Sequence, residues 1–189
     1  MKQGGRREDL VDAAFKEIAQ RGFEGLRTRD VAAAAGVNVA TLHYYFPTKE
    51  SLIRGVLEHA MDRFRTTLEP HGSPADQLRN HLRAVRHLMT TEPELGVVMG
   101  ELALRANRDP AVREINDEMY ATWQKAMRGL LRRAARDGKL RRELDSDGTA
   151  ALIMGTLMSA ASSPMSAGGR GDLAIRQLER LLGISGSIN

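Results

Sequence analysis

Apolar residues recur at three- and four-residue spacing along most of the chain, and each run stops at a glycine, a proline or a capping residue, so the pattern predicts helix after helix. Leu10, Val11, Ala14, Phe15 and Ile18 line one face of a helix over 8–21 that Gly22 ends, leaving Phe23 and Leu26 to plug the connector. Thr28 reads as the N-cap of a two-turn helix, with Asp30 in its positive first turn and Val31, Ala32 and Ala35 on one side. Gly36 allows the positive φ of a sharp turn, and Val37 drops behind it. Asn38 then caps a second short helix, Val39 to Tyr45, with Leu42 and Tyr45 inward and Ala40, Thr41, His43 and Tyr44 outward.

Pro47 ends that helix, and Thr48 caps a longer one whose stripe is Leu52, Ile53, Val56, Leu57, Ala60, Met61, Phe64 and Leu68. After Pro70, Gly72, Ser73 and Pro74 the period resumes over 74–91, 94–107 and 110–137, the last carrying Val112, Ile115, Met119, Trp123, Met127, Leu130 and Ala134 on one face before Gly138. Asp145 caps a helix over 146–162 that is apolar on more than one face, and such a helix needs two partners. A Gly- and Ser-rich loop over 162–172 precedes a final helix with Leu173, Ile175, Leu178, Leu181 and Leu182.

Composition agrees and narrows the class. The 189 residues suit one or two compact domains, and 42% hydrophobic with 28% charged residues excludes disorder and collagen. Aromatic content is only 4% and β-branched runs are scarce, so an all-α fold without a sheet is expected. The absence of cysteine removes disulfides, thiolate catalysis and cysteine zinc sites. With no apolar leader and no long apolar span, no membrane association and a cytoplasmic location are expected. The net charge of +4 favours a polyanionic partner or serves plain solubility. Lys2, Arg6 and Arg7 among two glycines read as a basic arm, either touching DNA or disordered.

The order Ala32, Gly36, Leu42 is the arithmetic of a helix-turn-helix, a unit that pushes the start of its second helix into a DNA major groove about 12 Å wide. Residues Ala35-Gly36-Val37-Asn38 and Leu42-His43-Tyr44-Tyr45-Phe46-Pro47-Thr48-Lys49-Glu50-Ser51-Leu52 resemble the signature of TetR-family transcriptional repressors. Asn38 stands where Ser is usual in that signature and His43 where Tyr is usual; that position touches DNA in the family, so the resemblance implies that this chain's own operator preference lies at His43. The run Asp137 to Arg141 with Asp145 adds a softer likeness to the same family.

The resemblance implies an N-terminal three-helix DNA-binding head, residues 1–47 with the helix-turn-helix at 28–46, joined to a helical ligand-binding and dimerisation domain over 48–189, about nine helices in all. It implies a ligand-responsive repressor that binds a palindromic double-stranded operator as a homodimer paired through its last two helices, and leaves it when a small apolar or amphipathic inducer binds. Val39, Ala40 and Thr41 then lie nearest the base edges, His43 meets a base or phosphate, Tyr44 reaches a phosphate, Tyr45 is half core, and Asn38 caps beside them. Thr28, Arg29 and Lys49 position the head on phosphates.

For the inducer, Met61, Phe64, Met99, Trp123 and Met127 fall on inward faces, where they either line the ligand or simply fill core. A buried indole N–H at Trp123 needs a partner. His59, His71, His81 and His87 have no metal-ligand spacing, so no metal and no cofactor are expected, and these histidines read as exposed or satisfied. No phosphate loop, nucleophile elbow or carboxylate pair points to an enzyme. The competing class is a helical protein-interaction module whose apparent helix-turn-helix merely packs.

Overall fold

The computed structural model describes residues 5–68, 70–140, 144–160 and 169–184. Among these are nine α-helices, one 3₁₀ turn and no strand. The helices are α1 (Arg6–Arg21), α2 (Thr28–Ala34), α3 (Val39–Tyr45), α4 (Lys49–Arg65), α5 (Pro74–Thr91), α6 (Pro93–Ala106), α7 (Pro110–Arg136), α8 (Ser146–Ala160) and α9 (Arg170–Leu182), with the 3₁₀ turn at Phe23–Gly25.

Three boundaries differ from the pattern. Arg6 and Arg7 belong to the first turn of α1 and not to an arm, because the Gly5 carbonyl already accepts from the Glu8 and Asp9 N–H groups at 2.8 and 3.1 Å. Arg7 is held there by Glu58 at 3.2 Å and by the Phe46 ring, 5.2 Å from its guanidinium. Lys2 lies outside the described residues. Helix α4 stops at Arg65, since Thr67 and Leu68 turn their N–H groups back onto the Phe64 and Arg65 carbonyls at 3.1 and 3.0 Å. Helix α9 starts at Arg170, earlier than the loop reading allows, and the rest of that loop, 162–168, lies outside the described residues.

By contacts the chain forms two compact units. The first comprises Met1–Arg63 and Val97–Met119. Within it α1 packs on α2 and α2 on α3, around buried Leu10, Ala14, Ile18, Val31, Ala32, Leu42 and Phe46. Each large aliphatic side chain removed from water there is worth roughly 1.5–3 kcal/mol, which is what holds two helices too short to persist alone.

The second unit comprises Phe64–Gly96 and Tyr120–Asn189. In it α5, α8 and α9 pack mutually, burying Leu78, Leu82, Val85, Ile153, Leu157, Ile175 and Leu178. A reciprocal Ser73–Asp76 box starts α5, and Asp145 starts α8 by accepting the Gly148 N–H at 2.6 Å. Arg83 grips the buried Glu179 with both Nε and Nη2, at 2.7 and 2.9 Å, and Arg86 holds Asp172 at 2.8 Å, so α9 is pinned to α5 by oriented charge as well as apolar area.

Candidate nucleic-acid interface

The α2–α3 turn is built by Gly36. At φ +67° it closes α2 with a Schellman pair, its own N–H on the Ala33 carbonyl at 3.0 Å and the Val37 N–H on the Ala32 carbonyl at 2.9 Å. A side chain at that φ costs about 1–2 kcal/mol. Val37 behind it is half-buried. Leu42 and Phe46 anchor α3 from beneath, and this fixes which of its faces looks outward.

Asn38 caps α3 through Oδ1, which accepts the Thr41 N–H at 2.8 Å and the Thr41 hydroxyl at 3.0 Å. Thr41 therefore offers its methyl group and oxygen lone pairs outward, its hydroxyl proton being already given to the cap. Ala40, His43 and Tyr44 are exposed, and Val39 is half-buried. Tyr44 is 80% exposed and Tyr45 37%, the two rings meeting edge to face with centroids 5.1 Å apart. Tyr45 thus lies at the surface against Tyr44 and not inward beside Leu42, and Phe46 takes the inward place.

Thr28 is not a cap. Arg27, extended at φ −118°, holds the N-cap position with no side-chain bond, and its carbonyl accepts from Asp30 and Val31 at 3.0 and 3.1 Å. Thr28 is the first helical residue of α2, half-buried, beside exposed Arg29. Thr48 and Ser51 cap α4 reciprocally: the Ser51 N–H bonds Thr48 Oγ1 at 3.1 Å and the Thr48 N–H bonds Ser51 Oγ at 3.2 Å. Lys49 opens α4, half-buried, its ammonium 4.9 Å from the Phe23 ring centroid.

The candidate ligand residues divide between the units. Met61, half-buried, and Met99, buried, belong to the first; Phe64, Trp123 and Met127, all buried, belong to the second. Within the second unit Phe64 and Trp123 stack at 6.2 Å. The indole N–H of Trp123 has the partner it needs: it donates to Nε2 of the fully buried His81 at 3.1 Å. Because an indole only donates, the His81 proton sits on Nδ1 and goes to Thr67 Oγ1 at 2.8 Å, whose own hydroxyl donates to the Phe64 carbonyl at 2.6 Å. Every polar atom in this row is matched by a neutral imidazole. His81 sits seven residues into α5, and nothing in its local spacing marked it as the partner of Trp123, 42 positions away.

Burial pulls the His81 pKa down to about 4, against the opposing pull of its bond to Thr67. Unfolded, the imidazole titrates near its ordinary value of 6.5. Between those values the unfolded chain binds the extra proton, so stability is full above about pH 6.5 and is lost as pH falls toward 4, by up to ~3 kcal/mol. Wild type minus His81→Gln in thermal melts across pH 4 to 7 is expected to show that slope; parallel curves would remove His81 as its source.

Residues 10–56 match the model of bacterial regulatory proteins of the tetR family, and residues 68–165 match the tetracyclin repressor-like C-terminal domain, which alone takes just over half of the chain. The chain belongs to the TetR family. The HTH-type transcriptional repressor KstR2 of Rhodococcus jostii is 31% identical over 157 residues, 76% of this chain and 72% of that protein. The HTH-type transcriptional regulator RutR of Escherichia coli is 32% identical over 88 residues, 43% of this chain and 42% of that protein. A TetR-family regulator from a Rhodococcus species shares the fold with a TM-score of 0.83 at 24% identity, covering 94% of this chain and 98% of that one.

This TetR-family protein is a ligand-responsive, DNA-binding transcriptional repressor, and no observation favours the interaction module. The KstR2 protein it resembles is a repressor. None of its described helices is long and apolar enough to cross a membrane.

Proposed function

We propose that this TetR-family repressor works in the cytoplasm as a homodimer joined through α8 and α9, each protomer laying α3 in the major groove of one half of a palindromic operator. Residues 1–47 serve as the DNA-binding domain and 48–189 as the ligand-binding and dimerisation domain. The observation that carries the DNA reading is the outward face of α3, where small Ala40, the Thr41 methyl, His43 and the 80%-exposed Tyr44 stand on a helix anchored by Leu42 and Phe46. Val39, Ala40 and Thr41 approach base edges, and thymine methyls suit their apolar atoms. His43 reads a base or phosphate, Tyr44 reaches a phosphate, Tyr45 steadies it from the rim, and Asn38 keeps the helix start in place. Thr28, Arg29 and Lys49 meet phosphates and set register.

Support for the dimer is the apolar surface left on α8 and α9: Leu152, Leu173 and Leu181 are 56%, 57% and 49% exposed, with Ala151 and Gly155 beside Leu152. A small apolar or amphipathic inducer is taken up around Trp123, with Phe64 and Met127 in the same unit, while Met61 and Met99 belong to the first unit. Binding favours a dimer whose two heads no longer fit both half-sites.

Lys49→Ala tests the phosphate contact. It is expected to weaken binding about equally on all sequences and to lower the slope of log affinity against log salt by roughly one unit. An unchanged slope would take Lys49 off the interface. An inducer that releases operator DNA is expected to change Trp123 emission; release with constant emission would place the ligand elsewhere.

A further inference from the structure

Lys49 and α6 meet on one side chain. The Gly22–Phe23–Glu24 corner that follows α1 is gripped by two residues of α6 spaced i, i+4, all within the first unit. Glu101 Oε2 accepts the Phe23 N–H at 3.0 Å and lies so near the backbone that a Cβ on Gly22 would stand 3.1 Å from it. Gly22 has φ +69°, so this corner accepts neither a side chain's strain nor its bulk. Arg105 places its guanidinium 5.1 Å from the Phe23 ring centroid and donates to Glu24 Oε1 at 2.7 Å. The same guanidinium bonds Asp109 at 3.2 Å, and Asp109 also accepts the Ala111 and Val112 N–H groups that open α7.

Phe23 is buried, and the Arg105 guanidinium lies over its ring. Lys49 rests on that ring at 4.9 Å. Among the described residues no carboxylate is within ion-pairing distance of the Lys49 ammonium, so the ring is what orients it. Two cations against one ring repel unless one is neutralised. Arg105 is neutralised, by Glu24 and Asp109, which leaves the negative ring face to the ammonium.

We propose that Glu101 and Arg105 of α6 are positioning residues for DNA binding: they fix the Phe23 ring, and the ring presents the Lys49 ammonium to the operator phosphate. The proposal rests on the reading of Lys49 as a phosphate contact. It makes the setting of α6 legible at the DNA surface, since any shift of Glu101 or Arg105 against the Phe23 corner moves the platform of one phosphate ligand. A flexible lysine freed from that platform loses rotamer freedom on binding that it had already given up in the intact corner, and affinity falls without loss of the charge itself.

The test is a double-mutant cycle on operator affinity with the full-length protein, measured over a range of salt. Glu101→Ala and Arg105→Ala are each expected to weaken binding roughly two- to fivefold in the wild-type background and to add little in a Lys49→Ala background, whereas Glu101→Gln, which keeps an acceptor for the Phe23 N–H, retains near wild-type affinity. Glu101 and Arg105 are half-buried surface residues, so these variants are expected to melt close to wild type. If the α6 variants weaken binding equally with and without Lys49, they act through general head stability and the proposal is wrong. If Lys49→Ala leaves the salt slope unchanged, the phosphate reading itself fails, an outcome distinct from additivity in the cycle.

Discussion

Leu152→Glu combined with Leu181→Glu is expected to give a folded monomer that binds the operator about 100-fold or more weakly than wild type, because a dimer reading two half-sites gains its second contact intramolecularly. Both leucines are about half exposed on helices whose other faces are already buried through Ile153, Leu157, Ile175 and Leu178. The substitutions therefore add charge to the surface without opening the core. Light scattering with an operator titration checks both parts. A variant pair that stays dimeric would move the interface off α8 and α9, and a monomer of undiminished affinity would remove the need for a dimer.

Leu42→Ala is expected to cost about 2–5 kcal/mol, as large-to-small changes do in a packed core. Leu42 is 1% exposed and holds a seven-residue helix whose remaining apolar anchors are few, so the loss falls on the orientation of α3. Operator binding is expected to fail at temperatures where Trp123 emission and the far-ultraviolet signal of the second unit stay native. Retained binding at full affinity would mean that α3 does not depend on this core.

How far the sequence carries the account depends on the range of the forces involved. Gly36, Asn38, Thr48 and Asp145 act within three or four residues of themselves, and the turn and caps expected of them are present; Ser73, read only as part of a break, also caps its helix. Thr28 failed as a cap for a local reason as well: the helix starts on the Arg27 carbonyl, one residue before the preferred cap residue is reached. Arg6 and Arg7 read as arm because glycines precede them, yet Glu58 and Phe46, distant in sequence, give Arg7 a place on α1.

Long-range pairing was the part not legible. Trp123 announced that it needed an acceptor, but nothing along α5 distinguished buried His81 from exposed His87 except tertiary packing. Phe23 read as core filling, which it is, while its ring also carries Lys49 and Arg105. Glu101 carried no signal, because a carboxylate on the exposed side of an amphipathic helix is ordinary until a backbone N–H is found against it. Periodicity identifies inward faces; it cannot say that Met61 and Met99 fall in one compact unit and Trp123 in the other.

The central claim, that α3 reads a twofold operator through its exposed face, is tested most directly by selecting binding sites from random double-stranded DNA with wild type and with His43→Ala and Thr41→Ala. The account predicts one inverted-repeat motif for wild type, and a change at defined positions of each half-site in the variants, with ~1–3 kcal/mol lost per direct base contact. Recovery of the same motif from all three proteins, or of no motif from any, would contradict it.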